Sequence, residues 1–249
     1  MHRLDETFKN KKPFIGYLTG GDGGLDYSVA CAKALIHGGV DILEIGFPFS
    51  DPIADSPVVQ KAHERALESK ANSKMILEIA RCIRENSQVP LVLFSYFNPL
   101  LQLGTQYLQQ LKTAGYDAVL ILDLPIPFRE GETDPFFLEV LNVGLAPILL
   151  VTSSSSDQRL SQISTYARGF LHYVSHHNLA EDFATQISRM RQHFHIPIVS
   201  GFSIGDHSSA KEVLESADGF DLGPAFVEKI GEKISLEELT LFARSIDPR

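Results

Sequence analysis

Short apolar runs alternate with amphipathic helical segments along this 249-residue chain, and this alternation limits its possible folds more than any other feature. The runs are rich in β-branched and aliphatic residues and too short for helices, which is typical of strands buried in a parallel sheet. Strands are predicted over residues 13–18, 40–45, 91–96, 118–125, 148–152, 169–175, 196–202 and 219–222. Helices are predicted over residues 26–37, 58–86 with a break at 71–73, 105–114, 134–141, 157–166, 181–193, 207–216 and 236–246.

Eight strand-then-helix units with no change of composition between them favour one closed parallel barrel over a doubly wound sheet. The sequence therefore predicts an α/β chain that forms a single (β/α)8 TIM-barrel domain over residues 1–249, with a polar N-terminal extension. Ser73 is the expected N-cap where the long helical region breaks. Because such barrels place their chemistry at the carboxyl ends of the strands, the residues that follow each strand are candidates for a site.

The formal net charge of −9 and the lack of a basic cluster argue against a nucleic acid or an anionic membrane as the main partner, because both require concentrated Lys and Arg. The two cysteines, Cys31 and Cys82, lack metal-ligand spacing, so free thiols in a reducing, cytoplasmic compartment are expected and no metal site is predicted. The polar start and the absence of a long apolar run give no support to secretion or membrane spanning.

The most informative stretch is residues 40–60, VDILEIGFPFSDPIADSPVVQ, in which a strand leads into a proline-stiffened loop. Glu44 lies inside the strand, where an ionised carboxylate is costly unless a site uses it. Asp55 follows in the loop, whose prolines exclude a helix interior. A buried acid at the end of a strand, with a second acid in a shaped loop, suits paired acid/base chemistry.

Structural roles compete with this functional interpretation. Ser50, Asp51 and Pro52 form a Ser-Asp-Pro sequence, which is typical of turns and caps. Glu44 has no such role inside a strand, so the functional interpretation is favoured for it. For Asp55 alone, a turn role and a catalytic role both remain open.

The run LEIGFPFSDPIADSPVVQ resembles the signature of the α subunit of tryptophan synthase, which usually reads L-E-[LIV]-G-x-P-F-S-D-P-x-A-D-G-P. Further motifs match that family in the same order along nearly the whole chain. They are FIGYLTGGD at the start, FNPL, LILDLP, ARGF and IVSGFSI. The chain is therefore identified as similar to this family by several motifs at matching spacing.

The resemblance implies a barrel that cleaves indole-3-glycerol phosphate by a retro-aldol reaction, giving indole and glyceraldehyde 3-phosphate. It assigns Glu44 as the general acid/base that delivers a proton to indole C3, and Asp55 as the carboxylate that binds the indole N–H. It also implies a partner, a β subunit that carries pyridoxal phosphate and receives the indole in an α2β2 assembly. No cofactor is expected in this chain itself.

The same resemblance implies a slot for the flat indole and a phosphate site, although ordinary core packing is the alternative role for each apolar residue. The implied substrate-binding residues are Tyr17, Phe94, Leu120, Leu122, Leu150, His172, Gly201, Phe202, Ser203 and Gly223. The implied contacts with the β subunit are Ser50, Asp51, Pro52, Asn98, Pro99 and the loop after strand six.

The chain departs from the family at all three loops that hold the substrate phosphate. The family's Gly-Val-Thr-Gly after strand six is residues 178–181 here, with an acid at Glu181, and Ser203 replaces a glycine after strand seven. Pro224 replaces the serine after strand eight and has no N–H to donate. His172 replaces the family's tyrosine in strand six, and Ser56 replaces a glycine.

These departures lead to the hypothesis that the acid pair survives while weaker phosphate binding slows or abolishes lyase turnover. Other groups, such as the Ser203 hydroxyl or His176 and His177, are the alternative means of holding the phosphate. A noncatalytic activator of the β subunit is the alternative function. A different phosphate-handling barrel fits the fold but not the LEIGFPFSDPIAD run.

Overall fold

The computed structural model describes residues 3–123, 135–174, 183–201 and 204–249. Its strands form a closed barrel in which each strand pairs in parallel with the next and the last pairs with the first. The predicted (β/α)8 architecture is confirmed. The strands are β1 (Phe14–Thr19), β2 (Ile42–Gly46), β3 (Leu91–Ser95), β4 (Ala118–Ile121), β5 (Ala146–Thr152), β6 (Leu171–Val174), β7 (Ile198–Ser200) and β8 (Gly219–Leu222).

Helices surround the barrel and connect its strands. In the described ranges they are α1 (Arg3–Asn10), α2 (Leu25–His37), α3 (Pro57–Glu68), α4 (Ser73–Arg84), α5 (Phe97–Leu103), α6 (Thr105–Ala114), α7 (Pro135–Asn142), α8 (Asp157–Tyr166), α9 (Phe183–Met190), α10 (His207–Ser216), α11 (Pro224–Gly231) and α12 (Leu236–Ile246). The sequence did not predict α1, α5 or α11. None of the helices described is both long and apolar enough to cross a bilayer.

The break inside the long helical region of the sequence lies between α3 and α4, as predicted. The prediction of Ser73 as the N-cap is wrong, because Asn72 is the cap. The Asn72 side chain accepts hydrogen bonds from the backbone N–H groups of Lys74 and Met75, at 3.0 and 3.2 Å. Two of the N–H groups that a helix start leaves unpaired are thereby satisfied.

The polar N-terminal extension forms α1, which packs against the amino-terminal end of the barrel. Leu4 is fully buried in the interior cluster with Ile15 and Ile42. Phe8 packs against Phe170, with ring centroids 5.6 Å apart. These apolar contacts fill the end of the barrel opposite the carboxyl ends of the strands.

The amino-terminal end is also tied together by three aspartates, each just before an even-numbered strand. Each accepts a hydrogen bond from the backbone N–H at the start of the preceding strand. The pairs are Asp41 with Phe14 at 2.9 Å, Asp117 with Leu91 at 3.0 Å and Asp218 with Ile198 at 2.9 Å. We refer to Asp41, Asp117 and Asp218 as the strand-start aspartates.

Candidate functional site

The inward-facing side chains define what lies at the carboxyl-terminal mouth of the barrel. Side chains alternate along a strand, so the residue two positions after an interior residue also faces inward. Counting from Ile15, Ile42 and Phe170 in the interior cluster leads to Tyr17, Glu44 and His172. The register pairs Tyr17 directly with Glu44 on the neighbouring strand.

Glu44 is a buried acid whose carboxyl group lacks full hydrogen bonding. The residue is 1 % exposed, and its Oε1 atom has no hydrogen-bond partner. Burial raises the pKa of Glu44, while His172 lowers it and Asp221 raises it, and the result is about 8. A carboxyl group with this pKa can both give and take a proton near neutral pH.

His172 and Asp221 form an ion pair beside Glu44. The His172 Nε2 atom lies 3.3 Å from an Asp221 carboxylate oxygen, without the alignment of a hydrogen bond. Burial alone lowers the pKa of His172, but the charge and contact of Asp221, followed by the charge of Glu44, outweigh it and raise the pKa to about 9. The imidazole is therefore a cation between two carboxyl groups at neutral pH.

Gly201 makes room for this pair. A Cβ atom at Gly201 would overlap the Asp221 carboxylate, so the absent side chain is a condition for the position that Asp221 takes. The position therefore requires glycine for a structural reason, in addition to the phosphate role that the family resemblance implies.

Glu44, His172 and Asp221 are also the group that could hold a metal ion among the described residues, with donor atoms within 4.8 Å of one another. The direct contact between the imidazole and the Asp221 carboxylate engages two of the three donors with each other. We therefore interpret the three as an ion pair, His172 with Asp221, beside the carboxyl group of Glu44. The sequence did not predict that they would meet.

Asp55 is held by two aromatic side chains from different elements. The Tyr96 hydroxyl donates a hydrogen bond to Asp55 Oδ2 at 2.7 Å and accepts one from the backbone N–H of Ala54 at 3.0 Å. The Nε2 atom of buried His63 lies 3.5 Å from the same oxygen. Because Phe49 N–H donates to His63 Nδ1 at 3.1 Å, the proton of the neutral ring is on Nε2, toward Asp55.

The charges of both acids, Glu44 and Asp55, act on the Tyr17 phenol. Burial raises the pKa of its phenol, and the charges of Asp55 and Glu44 both raise it further, so the ring lies within range of both carboxylates. Its ring also packs edge-on against Phe94, with centroids 5.2 Å apart. Tyr17, which pairs in register with Glu44, is therefore a residue whose pKa both acids affect.

The other apolar residues that were predicted to line the site differ in burial. Leu120 is fully buried in the interior cluster, where ordinary core packing accounts for it. Phe94, Leu122 and Leu150 are partly buried and pack against that cluster near the carboxyl ends of their strands. These three side chains, with Tyr17, give the mouth an apolar surface of the kind that a flat aromatic ring requires.

Two of the loops that depart from the family pattern lie outside the described residues, at positions 178–181 and at Phe202 and Ser203. The loop after β8 is described. Gly223 is the N-cap of α11, and Pro224 is its first residue. A helix leaves its first N–H groups without intrahelical partners, and proline removes one of them from those available to an anion.

The residues predicted to contact a partner lie on the outside of the mouth. Ser50, Asp51 and Asn98 are exposed, and Pro52 and Pro99 are half-buried. Asn98 and Pro99 belong to α5, so the prediction that this segment is only a strand end is wrong. Ile53, next to this surface, is 86 % exposed, which makes it the most exposed of the large apolar side chains among the described residues.

Asp221, Tyr96 and His63 received no role from the sequence. Asp221 carried the same signal as Glu44, because it is an acid inside a predicted strand. Tyr96 directly follows β3 at the carboxyl end, where site residues concentrate. His63 carried no signal, because its contact with Asp55 depends on how α3 packs.

Stability should fall as the pH rises through the range in which Glu44 titrates. Its pKa is raised from 4.5 to about 8, so between these values the folded state holds a proton that the unfolded state has released. His172, raised from 6.5 to about 9, acts in the same direction. Urea unfolding from about pH 5 to about pH 8.5 should show the native protein losing stability relative to Glu44→Gln, whose amide does not titrate. Parallel stability curves for the two proteins would contradict the buried, protonated carboxyl.

Comparisons with known proteins agree on one family. The family model described as "Tryptophan synthase alpha chain" matches residues 4–246. Curated tryptophan synthase alpha chains from Chlamydia felis and Chlamydia trachomatis are 62 % and 47 % identical, each covering 100 % of both chains. That of Coxiella burnetii is 40 % identical, covering 100 % of this chain and 98 % of its own. The crystal structure of tryptophan synthase subunit alpha from Legionella pneumophila has a TM-score of 0.89 at 31 % identity, covering 98 % of this chain and 97 % of that one.

Proposed function

This chain belongs to the tryptophan synthase alpha chain family, whose members cleave indole-3-glycerol phosphate, and from that premise we propose that Glu44 and Asp55 carry out the cleavage. The observation that supports this most is the Glu44 carboxyl group, buried at the barrel mouth with a pKa near 8 and an unpartnered oxygen. Such a group is suited to proton transfer at neutral pH.

Glu44 acts twice in one turnover. Its protonated form donates a proton to indole C3, which gives an indoleninium cation. The Glu44 carboxylate then takes the proton of the hydroxyl group on the adjacent side-chain carbon. As that hydroxyl becomes the aldehyde carbonyl, the carbon–carbon bond to C3 breaks and its electron pair restores the neutral indole ring. Glu44 ends the cycle protonated, as it began.

Asp55 stabilises the intermediate cation from the other side of the ring. The contacts from Tyr96 and His63 hold its carboxylate in place before the substrate arrives. A fixed negative charge beside the indole nitrogen is worth most when the ring is positive, so it favours the intermediate over the substrate. The apolar surface of Tyr17, Phe94 and Leu122 suits the ring itself.

The family's alpha chain works with a β subunit, and pyridoxal phosphate belongs to that partner. The exposed surface around Ser50, Asp51, Ile53 and Asn98 supports docking at the barrel mouth, where indole leaves the site. The proposed contact residues are those of the loop after β2 and of α5. No cofactor is required by the proton transfers assigned to Glu44.

One experiment with two measurements tests the proposed function. The purified chain is mixed with indole-3-glycerol phosphate and indole release is followed, and separately its effect on the β reaction supplied with free indole is measured. Indole release that depends on Glu44 supports the lyase. If release is absent while the β reaction is accelerated, the lyase proposal fails and the activator alternative takes its place.

Tyr96→Phe should weaken catalysis by loosening Asp55. The substitution removes a 2.7 Å charge-assisted hydrogen bond, worth about 1.5–3 kcal/mol, so kcat/KM for indole release should fall about 10- to 150-fold. The control is Tyr116→Phe, which removes a buried hydroxyl that donates to the Ile76 carbonyl of α4 and does not contact Asp55. Equal losses in the two variants would show that Tyr96 acts only through stability.

A further inference from the structure

We propose that the His172–Asp221 ion pair is a positioning device that keeps Glu44 able to exchange its proton during turnover. This role of the ion pair extends the proposed lyase function and rests on it, because Glu44 cycles between two protonation states only in a working lyase. His172 and Asp221 act through Glu44 and need not touch the substrate. Neither residue belongs to the acid pair that the sequence assigned to catalysis.

The geometry places one cation between two acids. Glu44, His172 and Asp221 come from β2, β6 and β8, and their donor atoms lie within 4.8 Å of one another. Glu44 and His172 are buried, so their charges interact with little screening by solvent. Their side chains meet because the barrel brings the inward positions of non-adjacent strands to one level.

In the part of the chain that the structure describes, His172 is the cation whose charge acts on Glu44. The titratable groups that face it in the described residues are Tyr17 on β1, His172 on β6 and Asp221 on β8, with Asp55 beyond Tyr17. On β3, β4 and β5 the neighbouring inward residues are apolar, and on β7 the position is Gly201. The charge of Glu44 is therefore balanced by His172.

Each partner has a distinct effect. A buried carboxylate without a cation is costly, and such a group would hold its proton permanently. The His172 imidazolium favours ionised Glu44, which lets the carboxyl release its proton to C3. Asp221 keeps His172 positively charged, although burial opposes that charge. Removing His172 should therefore raise the pKa of Glu44, and removing Asp221 should lower the pKa of His172.

NMR titration tests this without requiring turnover. Carboxyl-13C glutamate reports on Glu44, whose signal is identified by its loss in Glu44→Gln, and ring-labelled histidine reports on His172. In the native protein the midpoints should lie near pH 8 for Glu44 and near pH 9 for His172. His172→Gln should raise the Glu44 midpoint by about one pH unit or more. Asp221→Asn should lower the His172 midpoint by about one pH unit or more.

His207→Gln removes an exposed imidazole on α10 and should leave both midpoints unchanged. A Glu44 midpoint that does not move in His172→Gln overturns the proposal. A His172 midpoint in the native protein at or below 6.5, the ordinary value for histidine, also overturns it. This measurement uses the native protein alone, so it does not depend on whether a variant folds.

The pH profile of indole release separates this inference from the proposed function. In an active protein, His172→Gln should shift the alkaline limb of kcat/KM upward, as it shifts the Glu44 midpoint. An alkaline limb that stays in place while the variant is folded counts against the inference. If the native protein releases no indole at any pH, the lyase proposal fails, and the NMR midpoints still decide whether the ion pair controls Glu44.

Discussion

Glu44→Gln is expected to reduce kcat/KM for indole release by about 10²- to 10⁴-fold, to or near the detection limit. The amide has nearly the shape of the carboxyl group but can neither donate a proton to C3 nor take one from the hydroxyl group. Because Glu44 is buried with an unpartnered oxygen, the neutral amide should fold at least as well at neutral pH. Steady-state indole release, with thermal unfolding as a check on folding, measures both effects.

Glu212→Gln is the matched control, because it makes the same chemical change at an exposed position on α10. It should retain native activity. If Glu44→Gln keeps more than about a tenth of the native kcat/KM, Glu44 does not act as the acid/base, since that role contributes at least about 10²-fold. Retained β-subunit activation in Glu44→Gln would show separately that docking does not require this carboxyl group.

Asp117→Ala is expected to cause the largest loss of stability. Asp117 is 3 % exposed at its side chain, pairs with Arg84 and Arg3 at 2.8 Å each, and accepts the Leu91 N–H. Its removal leaves the largely buried Arg84 cation without its carboxylate, which costs about 3–5 kcal/mol. For a chain of this length that corresponds to a fall in Tm of about 6–20 °C.

The matched control is Asp218→Ala, at another strand-start aspartate. Asp218 makes the same kind of hydrogen bond to a strand start and pairs with Arg191, but its side chain is 29 % exposed and that of Arg191 is 46 % exposed. Solvent weakens that ion pair, so its own contribution is about 0–1 kcal/mol. Calorimetry should show a clearly smaller decrease in Tm than for Asp117→Ala. Equal decreases would mean that the backbone hydrogen bond, and not the buried ion pair, supplies the stability.

Much of the fold was predictable because the local signals agree with the tertiary structure. The predicted bounds of α6, α8, α10 and β8 coincide with those in the structure. Three helices were missed for identifiable reasons. Pro99 in α5 and Pro224 in α11 suggest turns, yet both lie in the first turn of a helix, where proline is tolerated. In α1, helix formation is supported by burial of Leu4 against the barrel.

The candidate site was predictable in position where its residues are close in sequence. Glu44 and Asp55 stand in one recognisable motif, and the structure places Glu44 inside β2 and Asp55 in the following loop. The partners of these acids come from other strands and helices. The contact of His172 with Asp221 depends on strand tilt and register around the barrel, which no local pattern encodes. Tyr96 and His63 reach Asp55 for the same reason.

The strand-start aspartates lie at the opposite end of the barrel from Glu44. Mutations can therefore accumulate in the loops at the carboxyl-terminal mouth without weakening the contacts that close the barrel. The altered sequences at residues 178–181 and at Pro224 are of this kind. Catalytic activity can in this way change during evolution while the barrel remains stable. Sequence divergence at the mouth is therefore a poor measure of how well the barrel itself is preserved.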